Sequence, residues 1–366
     1  MKITLKQADF CGRPAVRLLA PNKVTFMSTR TLWLAAILVC GFCGCSGDAS
    51  KTGPGGEAGS GAAATGSTSA PTPTKASRGT IGVSLLAFEN PFFKVIADHI
   101  DVEAKKNGYD TILLSADNDA TKQSNQVKDF IVSKVAAIVL SPADPHLVVS
   151  SIQDANAAGI PVFTVDIPCP SPDVKIVSQI ATDNFGGGRE AGNAIIEVLG
   201  PQGGSVAILG FAAAQSCTLR VKGFKEVIEA HNANAANKIT IVGEYESEGK
   251  RDRGAAAMKD ILQSNDGLNA VFAINDPAAL GARAALEQAG KADSVVIVGF
   301  DGQPEGKLAI REGKIYADPI QFPDRMGVEV VQAIIAHSKG KEVPAETLIP
   351  TKLYKKADAE QDSTLK

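Results

Sequence analysis

Two features that the chain lacks limit what it can do. Its net charge is small: 37 Lys and Arg residues against 40 Asp and Glu residues leave −3 at pH 7. This balance provides no positive surface for nucleic acid. Its four histidines are scattered, without the spacing of a metal site or a nucleophilic triad. We therefore expect no nucleic-acid partner, no metal, no cofactor and no enzymatic activity.

Cysteine is scarce where the chain is expected to fold. Of six cysteines, four lie within the first 45 residues, and only Cys169 and Cys217 follow. Two cysteines are too few for a disulfide framework, although one bridge is compatible with an oxidising compartment. The sequence leaves open whether these two form a bridge or stay separate thiols.

Residues 1–45 have the pattern of an export signal. Arg30 precedes the apolar run LWLAAILVCGFCGC, whose core of about a dozen residues is too short for a stable membrane span. Met27 begins a compact signal and is an alternative start. The Gly44-Cys45 sequence resembles a bacterial lipoprotein signal, which predicts a lipid on Cys45. The alternative is an ordinary secretory signal, and both predict a periplasmic or cell-surface protein.

Residues 46–78 contain no large apolar side chain. Such a segment cannot bury enough apolar surface to offset the entropy that ordering would cost. The composition therefore predicts a flexible Gly/Ser/Pro-rich tether.

From residue 79 onward, short β-branched runs alternate with amphipathic helical patterns. Ten runs, such as TIGVSLLA and VVIVGFD, have the character of strands, and segments such as RVKGFKEVIEAHN have helical spacing. Continuous apolar strands between helices predict parallel sheets covered on both faces. Ten strands over this length favour an α/β fold with two Rossmann-like, doubly wound lobes.

Polar residues follow several of these predicted strands, at the sheet edge where α/β proteins bind ligands. They are Asn90, Asp166, Asn275, Asp301 and Gln321, with Arg220 at the start of a following helix and Phe92 and Phe93 beside Asn90. Carboxylates accept from hydroxyl groups, guanidinium and amide groups donate to oxygens, and aromatic faces cover the C–H surface of a sugar ring. The set therefore predicts a site for an uncharged polyol.

Each of these residues also has a purely structural interpretation. Asp301 could form an Asp-Gly turn, Asp166 could cap a loop and Asn90 could begin an Asn-Pro turn. Phe92 and Phe93 could be core residues of a first helical turn. Arg220 could pair with Glu226 or Glu229 on its own helix. It is their joint placement at strand ends that favours a ligand site.

Residues 79–354 resemble the ribose-type periplasmic sugar-binding proteins that feed ABC importers. The resemblance rests on NPFF (90–93), VD (165–166), IATDN (180–184), RVKGF (220–224), VFAIND (271–276), ALGARAAL (279–286), VIVGFDG (296–302) and ADPIQFPDRMG (317–327). It implies the type I periplasmic binding protein fold, with two lobes joined by three strands. The implied lobes are residues 79–182 with 322–352 and residues 183–321 with 353–366.

Carried over by position, the resemblance assigns ligand-binding roles. It implies them for Asn90, Phe92, Phe93, Asp166, Arg220, Asn275, Asp301 and Gln321. It also implies a monosaccharide or polyol ligand that is delivered to the permease subunits of an ABC importer, and we expect a monomer. The alternative is a sensor that presents a sugar or autoinducer to a chemoreceptor or kinase, which the sequence does not separate from transport.

The chain departs from the ribose-binding pattern at three positions. Ile167 stands where ribose binders carry an Arg, Gly249 where they carry a pocket Phe, and Leu86 where they carry a Ser. A lost guanidinium removes charge-assisted hydrogen bonds worth roughly 1.5–3 kcal/mol each. We therefore expect a different pentose or hexose, a ketose, a deoxy sugar or a polyol, with Ile167 facing a less polar edge of the ligand. Glu89 and Ser216 are further candidate contacts.

The two cysteines raise a separate hypothesis. Cys169 lies three residues after Asp166, and Cys217 lies three residues before Arg220, on opposite lobes according to the resemblance. A disulfide between them would tie the lobes and limit their opening. Two separate thiols are the alternative, because the geometry is unknown at this point.

One motif points instead to an enzyme. Gly186, Gly188 and Ala191 are spaced like a dinucleotide-binding fingerprint. The preceding strand does not lead directly into the glycine turn, and no acidic residue ends a strand about 20 residues later. We therefore reject this interpretation.

Overall fold

The structure, a computed structural model, describes residues 77–365. The predicted signal, the lipid on Cys45 and nearly all of the predicted tether lie outside these residues. Within them, no helix is both long enough and apolar enough to cross a bilayer.

The first sheet has six parallel strands in the spatial order β2-β1-β3-β4-β5-β11. Its strands are β1 (Thr80–Leu85), β2 (Asp110–Ser115), β3 (Ala137–Leu140), β4 (Val162–Val165), β5 (Ser178–Thr182) and β11 (Glu346–Ile349).

The second sheet repeats this order as β7-β6-β8-β9-β10-β12, with only the last strand antiparallel. Its strands are β6 (Gly204–Gly210), β7 (Ile239–Glu246), β8 (Ala270–Ala273), β9 (Val296–Val298), β10 (Ala317–Ile320) and β12 (Lys352–Lys355). The prediction of two doubly wound α/β units is confirmed, and each of the ten predicted runs forms a strand.

Helices cover both faces of each sheet. They are α1 (Pro91–Lys106), α2 (Ala120–Val132), α3 (Val149–Ala157), α4 (Asn184–Leu199), α5 (Gln215–Asn234), α6 (Arg251–Ser264), α7 (Asp276–Gln288), α8 (Pro304–Arg311), α9 (Pro323–Ser338) and α10 (Lys356–Gln361). On the first sheet, α1 and α9 bury one apolar cluster and α2 and α3 bury another. On the second, α6 and α7 cover one face and α4 and α5 the other. Burial on two faces explains why most strands are continuously apolar.

The chain passes between the two sheets three times. It does so between β5 and α4, between β10 and α9, and between β11 and β12. We call the units built on the first and second sheets the N-terminal and C-terminal lobes. The residue limits given above for the lobes stay a prediction.

Helices α4 and α5 approach each other through glycine. A Cβ on Gly188 would lie 2.0 Å from the Arg220 carbonyl oxygen, and one on Gly223 would lie 2.1 Å from the Phe185 carbonyl oxygen. Gly186 and Gly188 lie inside α4 rather than in a strand-to-helix turn. Helix packing therefore accounts for Gly188. Gly186 leaves room for the Asp183 carboxylate that caps α4, since a Cβ there would lie 2.2 Å from Asp183 Oδ2.

The substitution Gly188→Ala is expected to destabilise the protein by about 1–3 kcal/mol, because the new methyl group must push the α5 backbone away at Arg220. Urea denaturation measures the change in unfolding free energy. Gly267→Ala is the matched control, because its Cβ would meet nothing within 4 Å. Equal stability of the two variants would contradict the close packing of α4 and α5.

Candidate functional site

The candidate ligand residues lie beyond the carboxyl ends of strands in both sheets. Asp166 follows β4 directly, Gln321 follows β10 directly, and Asn275 and Asp301 follow β8 and β9 closely. Arg220 lies in the second turn of α5 rather than at its start, because that helix already begins at Gln215. The two lobes thus present these groups at the ends of their parallel strands, where α/β proteins bind ligands.

A buried ion pair forms the centre of the site in the C-terminal lobe. The Arg220 guanidinium donates from Nη1 to Asp301 Oδ1 at 2.8 Å, and the side chains are 6% and 10% exposed. Pairing of Arg220 on its own helix surface is therefore wrong. Arg189 on α4 instead approaches Glu226 at 3.4 Å. Because the Arg220–Asp301 pair is withdrawn from water, removal of one partner would leave an uncompensated buried charge.

Three further contacts orient the Arg220 side chain. Its Nε donates to Asn184 Oδ1 at 2.8 Å, and its Nη1 also donates to the Ile274 carbonyl at 2.7 Å. Its guanidinium carbon lies 3.8 Å from the centre of the Phe300 ring, a cation–π distance. Among residues 77–365, Nη2 has no hydrogen-bond partner. Arg220 is therefore held rigidly and keeps donor groups for a ligand.

A closed ring of hydrogen bonds connects this arginine to the lobe crossings, and we call its members the hinge ring: Thr182, Asn184, Arg220, Asp301 and Gln321. Thr182 Oγ1 donates to Gln321 Oε1 at 2.7 Å, and Gln321 Nε2 donates to Asp301 Oδ1 at 2.7 Å. Asn184 Nδ2 returns to the Thr182 carbonyl at 3.2 Å. Two of the three crossings are thus hydrogen-bonded to each other and to the ion pair.

Asp166 is the carboxyl group that the N-terminal lobe contributes to the candidate site. Burial raises the pKa of its carboxyl group to about 6, while the charge of Arg220 lowers this pKa and that of Asp301 raises it. The residue therefore lies close enough to interact with the ion pair of the other lobe. No described residue donates a hydrogen bond to this carboxylate. Asp166 and Asp301 both have positive φ, 61° and 100°, a strained conformation that is common at functional sites.

The FENPFF loop divides its aromatic side chains between core and cleft. Phe93 is 4% exposed and packs in the apolar core of the first sheet. Phe92 is half-buried, with its ring 5.4 Å from that of Phe93 in an edge-on arrangement. Asn90 is exposed and accepts from the Phe92 N–H at 3.0 Å, which caps α1. Phe93 is therefore a core residue, Asn90 caps α1 while its side chain stays exposed, and Phe92 is the aromatic residue that stays accessible.

Partly buried apolar residues line the same end of the first sheet. Leu86, Phe88, Phe92 and Ile167 all pack against its core while keeping some exposed surface. Two of them, Leu86 and Ile167, stand where the ribose-type pattern is polar. The N-terminal lobe therefore presents Asp166 beside an apolar wall.

Asn275 in the C-terminal lobe is held on both sides of its amide. Its Oδ1 caps α7 by accepting from Ala278 N at 3.1 Å, and its Nδ2 donates to the Gly249 carbonyl at 3.0 Å. Gly249 has a φ of 63°, and a Cβ there would lie 2.8 Å from Asn275 Nδ2. Glycine at this position therefore gives the loop room to approach Asn275.

The remaining candidates are placed as follows. Glu89 is exposed and Ser216 is half-buried. Cys169 and Cys217 are free thiols, each 7% exposed in an apolar cluster of its own lobe. The structure therefore contains no bridge between them, because each side chain packs into a separate core. Burial raises the pKa of Cys217, which makes it a poor nucleophile.

Sequence reasoning missed three residues of this site. Thr182 and Asn184 complete the hinge ring, and Phe300 supports the Arg220 guanidinium. The first two lie in IATDN, Thr182 near the end of a predicted strand and Asn184 directly after it, and that position was a usable signal. Nothing in the sequence distinguished Phe300 from an ordinary buried strand residue.

Comparisons with known proteins identify the family of the chain. Residues 81–342 match the family model described as periplasmic binding protein domain. The chain is similar to a ribose import binding protein of Salmonella typhimurium, with 35% identity over 274 residues that cover 75% of this chain and 90% of the relative. It is similar to a D-apiose import binding protein of Paraburkholderia graminis, with 35% identity over 76% of this chain and 88% of the relative.

A solved structure extends the comparison. A solute-binding protein of an ABC transporter from Bacillus halodurans, with bound myo-inositol, superposes with a TM-score of 0.69 at 27% identity. The match covers 78% of this chain and 98% of that protein. These matches span nearly the whole of each relative, and the chain belongs to the periplasmic binding protein family.

Proposed function

We propose that the protein captures a monosaccharide or related polyol in the cleft between its lobes and delivers it to an ABC importer. Membership of the family implies a periplasmic location, and its relatives are binding proteins rather than enzymes. The observation that carries the proposal is the Asp166 carboxylate near the Arg220–Asp301 pair of the opposite lobe. Relatives named for ribose and D-apiose import and a structure with bound myo-inositol support the ligand class.

The chemistry of these groups fits an uncharged ligand rich in hydroxyl groups. Asp166 accepts hydrogen bonds from hydroxyl groups, and Arg220 Nη2 donates to hydroxyl or ring oxygens. Asn90, Phe92, Asn275 and Gln321 supply further contacts around them. An anionic ligand is disfavoured, because Asp301 already neutralises Arg220 and Asp166 adds a second carboxylate. The ligand then contacts both lobes and favours their closed arrangement.

The hinge ring couples ligand capture to the lobe crossings. Arg220 and Asp301 are hydrogen-bonded through Gln321 to Thr182. A ligand that fixes Arg220 against Asp166 therefore also restrains two crossings. The closed form is what the permease subunits of the importer recognise, and we propose that the protein reaches them as a monomer tethered by a lipid on Cys45.

The apolar wall narrows the ligand class. Ile167 and Leu86 offer no hydrogen bonds, so the ligand edge that faces them is less polar than the edge that faces Asp166. We propose a pentose or hexose other than ribose, a ketose, a deoxy sugar or a polyol. Phe93 contributes to this site only through the core that supports Phe92.

A thermal-shift screen tests the proposal. The purified protein is heated with a panel of pentoses, hexoses, deoxy sugars and polyols, and with amino acids as a control class. At least one sugar or polyol is expected to raise the unfolding midpoint, because a ligand at 100 times its Kd stabilises the folded state by about 2.7 kcal/mol. A panel in which only amino acids shift the midpoint would contradict the ligand class. Tight binding of ribose alone would contradict the specificity argued from Ile167.

A further inference from the structure

Two buried aspartates face each other in the C-terminal lobe, outside the residues assigned to the ligand. Asp276 is the first residue of α7 and Asp318 lies on β10, and they are 1% and 0% exposed. The two carboxyl groups lie close enough for each to shift the pKa of the other, and three of their four oxygens have no hydrogen-bond partner among residues 77–365. A hydrogen bond between two carboxyl groups requires a proton on one of them, because an ionised carboxylate only accepts.

The surrounding backbone is shaped around this pair. A Cβ on Gly306 would lie 1.9 Å from Asp276 Oδ1, and a Cβ on Gly299 would lie 2.5 Å from Asp318 Oδ1. Any other residue at these two positions would collide with a carboxyl group. The sequence therefore provides room for two carboxyl groups in an otherwise apolar interior.

Few other groups satisfy the pair. Asp276 Oδ2 accepts from the Gln303 N–H at 2.6 Å. Asp276 Oδ1 and both oxygens of Asp318 have no hydrogen-bond partner among residues 77–365. The Gly299 N–H approaches Asp318 and lowers its pKa, but it donates to the Ala317 carbonyl at 3.0 Å. Two ionised carboxylates in this position would repel each other without compensation. A proton shared between them leaves only one negative charge on the pair, which removes the repulsion and supplies a hydrogen-bond donor.

The charged groups on the elements packed around the pair do not neutralise it. Asp301 is the charged neighbour that acts on both aspartates, and it raises the pKa of each. The other titratable groups are engaged elsewhere: Arg220 with Asp301, Lys307 and Tyr354 with Asp362, and Arg251 with Glu305. Burial, the largest cause, raises the pKa of Asp318 to about 6 and that of Asp276 well above its usual value.

The pair joins the three segments that carry the C-terminal half of the ligand site. Asp276 directly follows Asn275, and its contact with Gln303 holds the loop that contains Asp301. Asp318 lies on the strand that leads into Gln321. We propose that Asp276 and Asp318 share one proton and that this bridge positions Asn275, Asp301 and Gln321. The positioning part of the inference rests on the proposed sugar site, whereas the shared proton does not.

A shared proton has a defined effect on stability. Because folding raises both pKa values, the folded protein binds more protons than the unfolded chain above pH 4. The contribution of the pair to stability is therefore greatest at low pH and falls as pH rises toward the pKa values of the folded state. Each additional bound proton changes the unfolding equilibrium constant about tenfold per pH unit in that window.

The substitution Asp318→Asn tests the proton without any ligand. Asparagine has nearly the shape of aspartic acid, and its amide donates permanently to Asp276. The stability of the ligand-free variant is measured by urea denaturation from pH 4.5 to pH 8. We expect it to fall less steeply with pH than that of the wild type, with a difference in slope of about tenfold in the unfolding equilibrium constant per pH unit. Asp260→Asn, at an exposed position on α6, is expected to retain the decline of the wild type.

Two outcomes would overturn the shared proton. One is the same pH dependence in the wild type and in Asp318→Asn. The other is a dependence of wild-type stability on Na⁺ or K⁺ at constant ionic strength, which would indicate a bound cation in place of the proton.

The positioning role is tested with the best ligand of the sugar panel. Asp318→Ala removes the bridge and is expected to raise Kd at least about tenfold at pH 7, and Asp318→Asn is expected to recover most of this loss. Equal Kd values in the wild type and both variants would overturn the positioning role. If no sugar binds the wild type, the proposed function fails, and the ligand-free measurement still decides whether the proton is shared.

Discussion

Replacing Arg220 with alanine is expected to cost about 3–5 kcal/mol of folding free energy and to abolish ligand binding. The guanidinium compensates the buried Asp301 carboxylate at 2.8 Å and also bonds Asn184 and the Ile274 carbonyl. Its removal leaves the Asp301 carboxylate buried without its cation. Breaking a buried ion pair in this way typically costs about 3–5 kcal/mol of folding free energy. The substitution also opens the hinge ring, so Asn184 at one lobe crossing loses its hydrogen bond to the ligand site.

The Arg220 prediction is measured by urea denaturation and by calorimetric titration with the best ligand. Arg189→Ala is the matched control, because Arg189 is 56% exposed and its pairing with Glu226 is on the surface. We expect that control to change stability by less than about 1 kcal/mol. Arg220→Lys keeps the charge but loses the planar contact with Phe300 and the bond to Asn184, so its stability is expected to lie between the wild type and Arg220→Ala. A loss below about 1 kcal/mol in Arg220→Ala would contradict the account of the ion pair.

Replacing Asp166 with asparagine is expected to act in opposite directions on stability and on binding. The carboxylate is buried without a donor in the ligand-free protein, so its removal stabilises the fold. Asparagine also tolerates the φ of 61° at this position. We expect the folding free energy to become about 1–2 kcal/mol more favourable at pH 8. This is less than the pKa shift alone implies, because the side chain is partly exposed and water screens its charge. We expect Kd to rise about a hundredfold, because the charged acceptor for ligand hydroxyl groups is lost.

The pH dependence distinguishes this explanation from a general change in packing. The pKa of Asp166 is raised to about 6 by burial, so the carboxyl group is neutral at pH 5 and ionised at pH 8. Wild-type Kd is therefore expected to be about tenfold higher at pH 5 than at pH 8, and that of Asp166→Asn much less dependent on pH. The stability that Asp166→Asn gains over the wild type also depends on pH. It is present above pH 6, where the wild-type carboxyl group is ionised, and disappears near pH 4, where that group is neutral.

Calorimetric titration and urea denaturation at three pH values measure both effects. Asp173→Asn, at an exposed loop position of the same lobe, is the control and is expected to behave as the wild type. A variant that is less stable than the wild type at pH 8, or that binds equally well, would contradict the role assigned to Asp166.

The strands and helices of the two lobes could be predicted because burial on both faces of a sheet requires continuous apolar runs. Strands β11 and β12 could not be predicted in this way. Their sequences ETLI and KLYK are short and half polar, and they lie at sheet edges where one side has no neighbouring strand. Their place in the fold depends on β5 and β10, which are distant in the sequence.

The positions of the candidate site residues followed from the strand ends, but their contacts did not. Arg220 and Asp301 are 81 residues apart, and Thr182 and Gln321 are 139 residues apart. Only the folded chain shows that these residues form one ring. Phe93 shows that side-chain orientation was also not predictable. The sequence Asn-Pro-Phe-Phe indicates an aromatic loop but not which of the two rings packs into the core. The proximity of Asp276 and Asp318 could not be predicted either, since the two residues lie on different elements that are distant in the sequence.

The glycines of α4 show how a local motif can mislead. The spacing of Gly186 and Gly188 suits a phosphate-binding turn, yet both lie within a helix that packs on α5. A motif of this kind has meaning only when the element that contains it is known. Here Gly188 lets the backbone at Arg220 approach α4 and so helps to place the ion pair.

A crystal structure of the protein with the best ligand of the panel tests the central claim most directly. The account predicts one molecule in the cleft, with its oxygens about 2.7–3.2 Å from both the Asp166 carboxylate and the Arg220 guanidinium. Phe92 is expected to cover a face of the ligand, and Ile167 to meet its least polar edge. A ligand that contacts only one lobe, or that lies away from the Arg220–Asp301 pair, would contradict the claim that two lobes close on a sugar through these residues.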